Sequence, residues 1–162
     1  AKEAVIWTQG KLSSEEINFL NGLSLIFQNN DFVAVHGTLF EPECFHYLVY
    51  MSDALETFHL MDREVCFVGH SHIPQIQVRQ DDVTVCHTGL NVEVGRSNKY
   101  IVNVGSVGQP RDGNPKASCC IYDTEKRFVQ IKRISYDVQT ACQKILDAGL
   151  PGELAERLLV GV

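Results

Sequence analysis

Glu64-Val65-Cys66-Phe67-Val68-Gly69-His70-Ser71-His72-Ile73-Pro74 is the stretch on which the reading of this chain turns. It reads as a short apolar strand that runs into a Gly-His-x-His turn and is stopped by proline. In extended backbone, residues two apart point the same way, about 6–7 Å apart. His70 and His72 are then expected to aim both imidazoles into one space at the carboxyl end of a strand. Open α/β sheets place their sites at that end. Gly69 is expected to supply the sharp turn and the close backbone approach.

The same syntax recurs upstream. Residues 25–27 and 32–35 are apolar runs joined by Gln28-Asn29-Asn30-Asp31, a hairpin signal, and the second run delivers His36-Gly37. Downstream, Ile76 and Val78, Val83 and Val85, and Val92 and Val94 alternate with other residues between turn signals, followed by Tyr100-Ile101-Val102-Asn103-Val104. Such close spacing predicts antiparallel strands. Residues 105–115 form the longest glycine- and proline-rich loop, of a length that is usually functional or mobile. Residues 117–123 and 128–134 read as a further hairpin.

Helices fill the remainder. Leu12-Ser13-Ser14-Glu15-Glu16 starts one, with a serine cap and Ile17, Leu20 and Leu23 on the buried side. Residues 52–59 read as another, with Ala54, Leu55 and Phe58 inward. Asp137 caps a helix that turns Val138, Ala141, Ile145 and Leu146 inward and stops at Gly149, and Pro151-Gly152 opens a last one over 153–159. No repeat or linker divides the chain. The expectation is one domain over 1–162, with a core over 1–136 and terminal helices over 137–162.

Composition narrows the class. Of the 162 residues, 44% are hydrophobic and 21% charged, which are globular values. A net charge of -6 and the lack of any Lys/Arg run argue against a nucleic-acid surface, though not against a nucleotide as a small substrate. The six cysteines contain no Cys-x-x-Cys pair and read as small buried hydrophobes in a reducing compartment. The first residues show no secretory pattern, and no run reaches membrane-spanning length. The expectation is a cytoplasmic protein without a membrane partner.

His36, His70 and His72 arrive by one device, an apolar strand feeding a glycine-containing turn. Neutral imidazole is the commonest protein metal ligand, and strand ends supply the rigidity a site needs. His46 and His59 sit at no strand end and read as ordinary surface or packed residues. Other His-x-His families fit less well: a cupin wants a glutamate soon after, and a metallo-β-lactamase wants His-x-His-x-Asp-His. Carboxylates are scarce near these histidines. Asp31 precedes its strand, and Asp112 is a weak loop candidate.

Val35-His36-Gly37, Val68-Gly69-His70-Ser71-His72 and Asn103-Val104-Gly105-Ser106-Val107-Gly108-Gln109-Pro110-Arg111-Asp112-Gly113 resemble the C-terminal motifs of the calcineurin-like metallophosphoesterases. The nearest likeness is to the small prokaryotic branch related to diadenosine tetraphosphatases and to the family's protein phosphatases. It runs from Trp7-Thr8 to the tail around Leu150-Pro151. The resemblance implies a four-layer α/β/β/α sandwich, here its C-terminal portion with mainly antiparallel strands. It implies two divalent metal ions (Mn, Fe, Zn or Ni), His36 and His70 on one and His72 on the other, and hydrolysis of a small phosphoester or nucleotide.

The family's first motifs (Asp-x-His, Gly-Asp and Gly-Asn-His-Asp) have no counterpart here, and the acid histidine is expected upstream of Ala1. The chain therefore reads as the half-site of a phosphoesterase, inactive alone, or as a non-catalytic binding or scaffold module on the same fold. Self-association is expected where sheet partners are missing. Arg111, in a glycine-rich loop after a strand, reads as a phosphate clamp through its forked guanidinium. The alternative for Arg111 is a pairing with Asp112 or solvent.

Overall fold

The computed structural model describes residues 2–162. Two helices open it, α1 (Lys2–Gln9) and α2 (Ser14–Asn21). Ser13 closes the start of α2 reciprocally: its hydroxyl accepts from the Glu16 amide at 3.2 Å, and the Glu16 carboxylate accepts from the Ser13 amide at 2.7 Å. The inward stripe expected on α2 is not buried. Ile17, Leu20 and Leu23 are 38%, 49% and 58% exposed, and neither helix has a buried residue. The spacing made an apolar face, but nothing among the described residues covers it.

The predicted hairpin forms from β1 (Ile26–Gln28) and β2 (Phe32–Val35), with Asn29 Oδ1 accepting from the amides of Asp31 and Phe32 in the turn. Next comes α3 (Ala54–Leu60), preceded by a 3-10 turn at Met51–Asp53. Because the α-helix starts at Ala54, its buried face is Ala54, Thr57, Phe58 and then Met61. Leu55, expected inward, points out and is 42% exposed. Lys99 closes the far end of α3, its ammonium donating to the carbonyls of Phe58 (2.9 Å) and Met61 (2.6 Å).

Strands follow: β3 (Val65–Val68), β4 (Gln75–Gln80), β5 (Val83–His87), β6 (Asn91–Glu93), β7 (Asn98–Asn103), β8 (Ala117–Asp123) and β9 (Phe128–Ile134). One sheet has the order β1-β2-β3-β7-β4-β5, and the other β6-β9-β8. The core of the large sheet, β2-β3-β7, is parallel, and every other pairing is antiparallel. Strands alternate their side chains, so the sheet buries two faces. Val33, Val35, Cys66, Val68 and Ile101 pack with Ala54 and Phe58 of α3. Val65, Tyr100 and Val102 pack with Val129 and Ile131 of the second sheet.

The chain closes with α4 (Val138–Asp147) and α5 (Gly152–Val160). Asp137 accepts from the Thr140 amide at 3.0 Å as the expected cap. Val138, Ala141, Cys142 and Ile145 meet Ala155 and Leu158, whereas Leu146, expected inward, is 48% exposed. The cysteine reading needs correction in two places: Cys66 and Cys142 are buried, but Cys44 and Cys86 are exposed, and all are free thiols. Among the described residues no helix is long and apolar enough to cross a membrane.

Candidate metal centre

Parallel pairing puts the carboxyl ends of β2 and β3 side by side. The Gly69 amide donates to the His36 carbonyl at 2.9 Å, which ties the two strand ends together. Their histidines meet in front: His36 Nε2 and His70 Nδ1 are 3.0 Å apart.

The turn that follows is not extended. His70 and His72 both adopt left-handed backbone, φ 60° and 61°, while Gly69 does not. The expected pleated alignment of the two imidazoles is thus replaced by alternating left-handed residues. Such conformations cost non-glycine residues about 1–3 kcal/mol each and persist where the surroundings over-determine them. Asn103, at the end of β7 and 2% exposed, is the restraint. Its Nδ2 donates to the Gly69 carbonyl (2.9 Å) and Ser71 Oγ (2.8 Å), and its Oδ1 accepts from the Gly105 amide (3.0 Å). From sequence, Asn103 closes a strand and opens the Asn103–Gly113 motif, with no role of its own assigned. Its place at the end of an apolar run, beside a glycine loop, was the available signal.

His72 Nδ1 lies 2.7 Å from the Gln109 carbonyl. A carbonyl only accepts, so Nδ1 carries the proton and Nε2 keeps its lone pair for a ligand. Arg111 sits beside both His70 and His72. Burial holds His70 below its ordinary pKa, and the charges of His36, His72 and Arg111 push it further down against a hydrogen bond with the Phe45 backbone. Burial also lowers His72, opposed by the Gln109 carbonyl and assisted by Arg111, His36 and Arg157. Both shifts favour the neutral ring, which is the form that binds metal.

The loop before α3 folds over this pair. Tyr47 stacks on His70 with ring centroids 4.1 Å apart, and Phe45 meets His36 edge-on at 5.8 Å. Gly37 makes the approach possible, since a Cβ there would lie 2.7 Å from the His46 carbonyl oxygen. Neither aromatic was singled out from sequence, because nothing in residues 41–62 shows where the loop folds back.

The 105–115 loop is pinned rather than free. The Arg111 amide donates to the His72 carbonyl at 3.2 Å, and the Gly113 amide to the Gly161 carbonyl at 2.9 Å. Asp112 is held by both terminal nitrogens of Arg133, which also bonds the Asn114 and Lys116 carbonyls, so it is removed from the candidate ligands. Arg111 does not pair with Asp112. It donates to Gln109 Oε1 at 2.9 Å, and its Nε is buried without a partner.

Chemically, His36 and His70 fit one ion. Two ligand atoms about 2.1 Å from a metal and at right angles to each other stand about 3.0 Å apart, the separation found here. His72 does not complete that set. Among the described residues no third His, Cys, Asp or Glu ligand atom lies within 4.8 Å of both.

Comparison with known proteins places this chain in a family. The calcineurin-like phosphoesterase superfamily domain matches residues 9–127. The chain belongs to that superfamily. It is 37% identical over 164 aligned positions to the uncharacterised protein MJ0912 of Methanocaldococcus jannaschii, covering 98% of this chain and 65% of that protein. It superposes on the crystal structure of a metallophosphoesterase from Sphaerobacter thermophilus with a TM-score of 0.84, 32% identity, 97% of this chain and 65% of that one. It shares the fold of hypothetical protein PH1004 from Pyrococcus horikoshii (TM-score 0.70, 20% identity, 94% of this chain and 57% of that one). The chain therefore spans less than two thirds of the length of these relatives.

Proposed function

We propose that this chain carries the histidine half of a metal-dependent phosphoesterase site that hydrolyses small phosphomono- or phosphodiesters, nucleotides among them. The observation that carries the reading is the His36–His70 pair, with ring nitrogens 3.0 Å apart at two adjacent parallel strand ends. In this reading His36 and His70 hold one divalent ion, and His72 Nε2 serves a second. Manganese, iron, zinc and nickel all suit such ligands. When bound, the ions supply an activated water and neutralise charge on the phosphoryl oxygens.

The chain's own residues do the rest. Gln109 keeps the His72 proton on Nδ1. Arg111, oriented by the Gln109 side chain, presents its fork to a phosphate oxygen. Tyr47 and Phe45 cover the histidine pair on one side and limit water there. The carboxylates that complete the centre, and the histidine that protonates the leaving group, come from sequence other than these 162 residues. The chain alone is accordingly close to inactive and binds metal weakly. Its exposed apolar side chains, Phe19 (67%), Leu23 (58%) and Phe27 (57%) among them, support self-association of this chain.

A second reading, a non-catalytic binding or scaffold module, draws on the lack, among the described residues, of a carboxylate within reach of both histidines. Hydrolysis of bis-p-nitrophenyl phosphate by the intact protein with manganese separates the two. The phosphoesterase reading predicts turnover that falls at least about a hundredfold in His36→Ala, His70→Ala and His72→Ala. No turnover with any of the four metals contradicts it.

A further inference from the structure

The loop between β2 and α3 carries a second cluster of ligating side chains. Glu41, Cys44 and His46 each offer one ligand atom, and all three atoms lie within 4.8 Å of one another. His46 Nε2 already stands 3.0 Å from Glu41 Oε2. The short 3-10 turn Pro42–Cys44 is flanked by left-handed Glu41 (φ 45°) and Phe45 (φ 51°), which gathers residues 41, 44 and 46 on one side. All three side chains are exposed and the Cys44 thiol is free, so an ion reaches them without opening the fold.

The donor set decides which ion. One thiolate, one imidazole and one carboxylate suit a borderline-soft metal and disfavour magnesium or calcium. A tetrahedral zinc ion, about 2.1 Å from nitrogen and oxygen and about 2.3 Å from sulfur, spaces its ligands about 3.3–3.7 Å apart. Side-chain rotation opens the 3.0 Å His46–Glu41 contact by a few tenths of an ångström and sets Cys44 at the same spacing, and the fourth position takes a water. On binding, the Cys44 thiol gives up its proton to solvent.

This cluster shares no ligand with the strand-end histidines, yet the same loop touches them. Phe45, between Cys44 and His46, packs edge-on to His36. Tyr47, next to His46, stacks on His70 at 4.1 Å. The His46 carbonyl is the group that Gly37 makes room for. We propose that Glu41, Cys44 and His46 form a zinc site that holds this loop in place over the His36–His70 pair.

Cobalt(II) is the probe, because thiolate ligation gives it a charge-transfer band in the near ultraviolet. The titration uses the chain with His36→Ala, His70→Ala and His72→Ala together, which silences the strand-end histidines and keeps the trio. One equivalent of cobalt is expected to produce the band, and zinc to displace it. Adding Cys44→Ser abolishes the band, while adding Glu41→Gln or His46→Ala weakens binding at least about tenfold. In the unsubstituted chain, zinc slows hydrogen exchange at the amides of residues 43–47, and in Cys44→Ser it does not. Cys86 is the other exposed thiol. Should the triple variant not fold, the titration of Cys86→Ser (band kept) against Cys44→Ser (band lost) decides the matter in an otherwise unsubstituted chain. No band, a band that survives Cys44→Ser, or unchanged exchange in the loop overturns the proposal.

Discussion

Strands β3 and β1 are short apolar runs of the same sheet, and they meet different surroundings. In β3, Val65 and Cys66 are 0% exposed, with α3 on one face and the second sheet on the other. In β1, Ile26 and Phe27 are 38% and 57% exposed. The helices beside them in sequence behave alike: α3 buries Ala54 and Phe58, whereas α2 buries nothing. An apolar pattern specifies an element and its preferred face. Burial, and the stability that comes with it, needs a second surface to cover that face.

Substitutions measure the contrast. Phe58→Ala is expected to cost about 3–5 kcal/mol in urea unfolding, since a 1% exposed aromatic leaves a cavity between α3 and the sheet. Phe19→Ser on α2 is expected to stay within about 0.5 kcal/mol and to shift sedimentation toward the monomer. A cost above about 2 kcal/mol for Phe19→Ser would show that α2 is covered in solution. Asn103→Leu comes next. It strands the Gly105 amide, leaves the Gly69 carbonyl with the Ser71 amide alone, and removes the restraint on two left-handed histidines, an expected loss of about 2–4 kcal/mol. Metal affinity should fall with it, whereas Phe19→Ser leaves metal binding intact.

Smaller effects follow from ionisation. Burial leads the causes that hold His70 and His72 below the ordinary value of 6.5. Below that pH the unfolded chain takes up protons that the folded chain resists. Metal-free stability is therefore full above about pH 6.5 and declines as pH falls through the folded values. A His70→Asn, His72→Asn double variant should flatten this part of the thermal-unfolding profile, and an unchanged slope would assign it to other groups. Smallest is a contrast in thiol reactivity. Burial pushes the Cys66 thiol up to about 12, so it should resist a disulfide reagent at pH 8 while Cys44 and Cys86 react at once.

Much of this was legible beforehand, for reasons that differ by residue. The β8–β9 hairpin was read with both strands placed, because turn residues interrupt two clear β runs. Asp137 and Ser13 announced their helices through capping chemistry that is local in sequence. His36, His70 and His72 stood out as candidates because each follows an apolar run that feeds a glycine-containing turn. What escaped depends on contacts between distant segments. The pairing of Asp112 with Arg133 spans two elements, and the stacking of Tyr47 on His70 follows from a fold-back that only Gly37 hints at. The left-handed φ of His70 and His72 escaped because the Asn103 amide, from another strand, holds the turn.

The central claim is that β2 and β3 place two imidazoles on one metal ion. Anomalous diffraction from crystals of the intact protein grown with manganese tests it most directly. The account predicts a peak about 2.0–2.3 Å from both His36 Nε2 and His70 Nδ1. Full metal occupancy elsewhere in the protein, with the 3.0 Å contact between His36 and His70 retained and no peak beside it, would contradict it.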